Sequence, residues 1–157
     1  MSLNLETLFC FSFLDMPELK VFSDKYVPYG ATTTPDFKLI QSSRDGLLRS
    51  YVDQISQMVG LTDNEMAYIL GMTSRNLHRI SPDKRLGIEA SERLLLLRNI
   101  LIHAMDTFEG KQNVVLSWLR TSIPELNDQA PVTLMDTVTG FGLVNDVLGR
   151  LDYGLPA

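Results

Sequence analysis

The chain has 157 residues, 45% hydrophobic and 21% charged, which suits one ordinary folded domain or two small ones sharing a core and excludes a disordered chain. A net charge of −5 and a pI of about 4.9 exclude a general basic coat for nucleic acid. Cys10 is the single cysteine, so no intrachain disulfide forms and a reducing cytoplasm is the expected compartment.

Residues 1 to about 40 form an N-terminal arm whose role the sequence does not define. The apolar run Leu8 to Leu14 follows Glu6, with no Lys or Arg before it. It is neither a signal peptide nor long enough to span a bilayer. It reads as a short buried strand, a helical turn, or an arm packed on another subunit. Pro28, Gly30 and Pro35, with the threonines between them, mark loop or extended chain. Ser42 to Val59 reads as one amphipathic helix. Leu48, Val52, Ile55 and Val59 recur at helical spacing, Ser42 or Ser43 caps the start and Gly60 sits at the end.

Leu61 to Ile80 carries the densest signal. Thr62 and Glu65 form a capping-box pair at a helix start. Met66, Ala67 and Leu70 share one face, and Gly71 falls where that helix must stop. Thr73 caps a second helix, on which Leu77 and Ile80 share a face, and Ser81-Pro82 ends it. Two short helices around such a turn make a helix-turn-helix. Its second helix would present Ser74, Arg75, Asn76, His78 and Arg79 outward. Arg pairs bidentately with guanine and Asn with adenine, and Thr73, Lys84 and Arg85 suit phosphates. From Ser74 to Arg98 the charge is +3, which leaves −8 for the remainder. A basic patch on an acidic body suits a DNA-reading face attached to a part that binds something else. The alternative for these polar positions is an ordinary solvated helix face.

After the connector Lys84 to Gly87, a long helix runs from about Ile88 to Phe108. Leu94, Leu97, Ile100, Leu101 and Ala104 form its apolar face, widened by Leu95, Leu96 and Ile102. A helix this apolar is buried on more than one side, in part by a second copy. Asn113 to Arg120 is a short helix. Pro124, Asp128 and Pro131 punctuate a loop, and Pro131 opens a further helical turn. Thr139-Gly140 separates that turn from a last helix, Phe141 to Leu151. The fold class is all-α, with no strand ladder, no internal repeat and no low-complexity run. Three segments are expected: the arm 1–40, a helix-turn-helix region 41–87, and a helical dimerisation and partner-binding domain 88–157.

Catalysis has little to stand on. The two histidines, His78 and His103, join Cys10 in no recognisable motif, and no metal, nucleotide or nucleophile signature is present. His103 reads as a hydrogen-bonded core or interface histidine. The chain is therefore not expected to be an enzyme, and no cofactor or metal is expected. Residues 106 to 157 carry a net −4. In them Trp118 and Tyr153 are candidate interface anchors, although Trp118 reads more readily as core. The tail Leu155-Pro156-Ala157 is placed to enter a partner's cleft.

The order of marks, Glu92-Arg93-Leu94, Trp118-Leu119, Pro131 with Leu134-Met135, Thr137, Gly140, Val144, Leu148 and Tyr153-Gly154, resembles the Xre/MbcA/ParS antitoxin family. The resemblance covers about Leu61 to Gly154. It implies an Xre-like DNA-binding region followed by a small helical toxin-binding domain, in a type II toxin–antitoxin module. The implied partner is a RES-domain toxin, a family associated with NAD+ consumption. The antitoxin would bind it beside the active-site cleft, with the C-terminal end obstructing entry, and as a homodimer would repress its own operon through operator DNA. Trp118, Arg150, Tyr153, Gly154, Leu155, Pro156 and Ala157 are the toxin-binding candidates. No membrane or small-molecule cofactor is implied. The alternatives are a plain dimeric helix-turn-helix transcription regulator without a toxin partner, and an adaptor whose motif no longer touches DNA.

Overall fold

The computed structural model describes residues 35–154. The reading of the N-terminal arm falls almost entirely outside them, as do Leu155 to Ala157. The described residues form helices and no strand, with α1 Pro35–Asp45, α2 Ser50–Val59, α3 Asp63–Ile69 and α4 Ser74–Arg79 in the first half. The second half holds α5 Ile88–Thr107, α6 Gln112–Arg120, a 3-10 turn Pro124–Leu126, α7 Pro131–Leu134 and α8 Val138–Asp152.

The single helix expected over 42–59 is two helices. Gly46 breaks it with φ +76°, a left-handed backbone that only glycine takes without strain. A Cβ there would also meet the Leu86 carbonyl oxygen at 2.6 Å. The chain between α1 and α2 runs beside the later connector instead of staying helical. Leu86 N–H donates to Leu47 O at 2.8 Å, Arg49 N–H to Lys84 O at 2.8 Å, and Ser50 N–H to Pro82 O at 3.0 Å. The Ser91 hydroxyl accepts from Leu47 N–H at 3.0 Å. These tertiary bonds satisfy backbone groups that a continuous helix would otherwise have paired.

The motif helices form as their caps dictate. Thr62 Oγ1 accepts from Glu65 N–H at 3.2 Å, and Glu65 Oε2 accepts from Thr62 N–H at 2.7 Å. Gly71 turns the chain at φ +71°, and Thr73 Oγ1 accepts from Asn76 N–H at 3.2 Å. Met66, Ala67, Leu70 and Leu77 are buried, as their spacing requires. Arg49 is buried as well. Its Nε donates to Leu77 O at 3.2 Å and its Nη1 meets Asp53 Oδ1 at 2.5 Å, so a guanidinium pins α4 to α2.

The long helix α5 is the spine. It packs against α1 on one flank and α8 on another, which accounts for its apolar residues around most of its girth. Leu94, Leu95, Leu97, Ile100, Leu101 and Ala104 are all buried in this shared core. Arg98 is buried among them, and desolvation pushes its guanidinium down to about 10.

Thr139-Gly140 does not separate two helices. Thr137 caps α8, accepting from Gly140 N–H at 3.0 Å, and the helix already runs from Val138. Gly140 is there for space. A Cβ on it would lie 1.7 Å from the Leu134 carbonyl oxygen at the end of α7.

Candidate functional site

On α4, Arg75 and Arg79 lie four residues apart on the face opposite buried Leu77, with Asn76 beside them. Arg75, Asn76, Arg79 and Lys84 are exposed, and their side chains make no hydrogen bond or ion pair among the described residues. The other candidates are engaged. Thr73 caps the helix, and Ser74 Oγ donates to Asn64 Oδ1 at 2.5 Å. His78 Nε2 stands 3.4 Å from Asp63 Oδ2. Arg85 donates to Gly46 O, and so closes the α1–α2 break instead of standing clear. Asn64 and Asp63 were not among the sequence candidates. Only the folded crossing brings the start of α3 beside the start of α4.

The C-terminal candidates do not form one cluster. Trp118 is half-buried, its ring 5.7 Å from that of Phe108, and it packs on the core. Arg150 is exposed on the last turn of α8. Tyr153 is 85% exposed at the end of that helix, and Gly154 follows it with φ +67°.

Beneath the end of α8 lies a polar cluster. His103 is buried on α5, with Nδ1 2.9 Å from Asn145 Oδ1 and Nε2 2.7 Å from Asp152 Oδ2. Thr107 Oγ1 donates to Asp152 Oδ1 at 2.6 Å. Burial pushes the Asp152 carboxyl up, but the bonds from Thr107 and His103 outweigh it and hold the group below its ordinary value. The cluster ties the last turn of α8 to α5 and so fixes the position of Tyr153 at its end.

A polar seam joins the motif to the later helices. Arg120 on α6 grips Glu65 on α3 at 3.0 Å to each carboxylate oxygen and also donates to Gly60 O at 3.0 Å. That bidentate grip holds the Glu65 carboxyl at about 2. Tyr68 Oη donates to Thr133 O at 3.0 Å. Arg93 on α5 lies against the motif turn at Gly71 and donates to Asp136 O. No group of residues able to hold a metal is found among the described residues, and no described helix is long and apolar enough to cross a membrane.

The described residues form an all-α body in which a helix-turn-helix with an exposed cationic second helix packs against a further helical unit, the architecture of a helix-turn-helix protein with an added helical domain. Residues 38–99 match the antitoxin Xre-like helix-turn-helix domain, and residues 103–154 match the antitoxin Xre/MbcA/ParS C-terminal toxin-binding domain. The antitoxin Xre of Yersinia enterocolitica is 30% identical over 118 residues, 74% of this chain and 80% of that protein. The antitoxin Xre of Photorhabdus laumondii is 25% identical over 112 residues, 71% of this chain and 76% of the other. The chain belongs to the Xre/MbcA/ParS antitoxin family and is an antitoxin of a toxin–antitoxin system with a helix-turn-helix domain. Both of these relatives are named as antitoxins.

Proposed function

We propose that this antitoxin neutralises a RES-domain, NAD+-consuming toxin by binding beside its active-site cleft, and that a homodimer represses its own operon through α4. The observation that carries the reading is the fusion itself. A helix whose exposed Arg75, Asn76 and Arg79 side chains make no bond among the described residues shares one core with a helical unit that matches a toxin-binding domain. The proposed DNA contacts are Thr73, Ser74, Arg75, Asn76, His78, Arg79, Lys84 and Arg85. Of these, the unengaged cations carry the most weight, because phosphate and base-edge contacts both need free donors. The proposed toxin contacts are Trp118, Arg150 and Tyr153 to Ala157, with the exposed Tyr153 supporting an accessible C-terminal end. Exposed Phe37, Ile40 and Ile88 support self-association. A cytoplasmic site follows from operator binding.

Co-expression with the toxin encoded by the neighbouring gene tests the first half. Restored growth is expected, and persistent growth arrest overturns the antitoxin–toxin pairing. Removal of Tyr153 to Ala157 is expected to weaken protection while leaving DNA binding intact. For the second half, Arg75→Ala with Arg79→Ala is expected to cost about 2–5 kcal/mol of operator affinity in gel shifts at fixed salt. Unchanged shifts would leave a toxin-binding adaptor that does not read DNA.

A further inference from the structure

Between α5 and α8 runs a surface groove of about 380 Å³, floored by Leu96, Ile100 and Phe141. Val138 and Leu143 stand on its α8 wall, each 49% exposed. Asn99 and Asp146 line it with no side-chain partner among the described residues. The groove therefore offers an apolar floor, an unpaired amide and an unpaired carboxylate. We propose that it seats an apolar helical segment of the toxin flanked by a basic residue, a second contact separate from the C-terminal end. This rests on the toxin-binding reading above.

Two observations favour the toxin over a second copy of this chain. First, α8 lies wholly within residues 103–154, the stretch that matches a toxin-binding domain, and it leads directly into the exposed Tyr153. The α8 wall of the groove and the exposed Tyr153 thus belong to one element. Second, residues 103–154 carry a net −4, and Asp146 sits at the groove. Asp146 is the one charged residue in the groove lining, and a twofold dimer that sets it near its own copy would bring like charges together. A partner that brings a Lys or Arg to Asp146 meets no such repulsion.

The glycines of α8 add a steric argument. Gly142 and Gly149 are seven residues apart and share a helix face. A Cβ added at either would meet nothing within 4 Å. Gly140, by contrast, is demanded by the Leu134 carbonyl. Glycine inside a helix is unfavourable relative to alanine, and no contact among the described residues requires it at Gly142 or Gly149. At Gly142, in the groove lining, the missing Cβ leaves room for an outside backbone to approach closely.

The full chain and its Gly142→Ala and Leu143→Asp variants are titrated calorimetrically with the purified product of the neighbouring toxin gene, and each free protein is melted and sized by light scattering. Gly142→Ala is expected to raise the free protein's Tm by about 2–4 °C and to weaken toxin binding about tenfold. Leu143→Asp, at a half-exposed position, is expected to leave Tm nearly unchanged and to weaken toxin binding at least tenfold. Toxin affinities within twofold of the parent chain for both variants overturn the proposal. A Leu143→Asp variant that loses a dimer yet keeps its toxin affinity also overturns it, and assigns the groove to a second copy. Absence of any binding by the parent chain overturns the toxin-binding reading itself, an outcome separable from the other two.

Discussion

Glu65 shows how much one side chain does here. Its carboxylate closes the capping box of α3 and also receives both donors of Arg120 from α6. The folded-state value of about 2 lies below the ordinary 4.5. A depressed carboxylate stabilises the fold above its unfolded value and loses that contribution as pH falls toward the folded one. Because Arg120 is partly exposed, the contribution at neutral pH is discounted for solvent screening to about 2 kcal/mol. Glu65→Gln is therefore expected to be destabilised by about that amount at pH 7. In urea titrations the gap between variant and parent should close between pH 4.5 and pH 2. A gap that persists unchanged at pH 2 would mean that charge is not what the pair contributes. The capping half of this arrangement was legible in the sequence, since Thr62 and Glu65 are three apart. The Arg120 half was not, because 55 residues separate the partners and no local pattern links them.

Among the helices, glycine ends one element where the local sequence shows it and shapes two others through distant contacts. Gly71 stops α3 as its position after Leu70 suggests. Gly46 carries no such signal in sequence, because the apolar spacing from Leu47 to Val59 runs through as one helix. Only the strand-like pairing of Leu48 with Arg85 reveals why the helix must break there. Gly140 reads in sequence as a helix boundary, whereas it is a packing glycine in the first turn of α8. The two differences share a cause. A glycine's role depends on which distant carbonyl lies where its Cβ would be, and that carbonyl is not in the local sequence. Gly140→Ala is accordingly expected to displace α7 from α8 and cost about 3 kcal/mol or more, in the range of severe overpacking. Denaturant unfolding measures this, and a loss under 1 kcal/mol would show that α7 moves aside freely. On α4, the residues that the helical spacing turns outward are exposed apart from half-buried Ser74. The spacing does not identify which of them the fold has already engaged.

For the whole molecule, the helix-turn-helix region and the later helices unfold either separately or as one body. The chain order, a helix-turn-helix followed by a helical unit, invites two domains joined at Gly87. The packing argues for one cooperative body. Helix α5 buries Leu94, Leu97 and Leu101 in a core shared with α1 and α8, and removing either flank would expose apolar surface along the spine. The seam adds directed bonds from Arg120 to Glu65, Tyr68 to Thr133, Arg93 to Asp136 and Gln112 to Met58. Independent halves would need to break these with little gain in chain entropy, because α5 would remain ordered in either half. Trp118 is the only tryptophan, on α6, and reports on the later helices alone. Far-ultraviolet circular dichroism reports on all of them. The two signals are expected to trace one coincident urea transition with equal midpoints and slopes, as two-state unfolding requires. A Trp118 transition at lower urea than the loss of helix would show that the later helices detach while the motif stays folded. Arg120→Ala is the sensitising variant. If the halves are one unit, both midpoints fall together; if the seam alone holds them, the transitions separate.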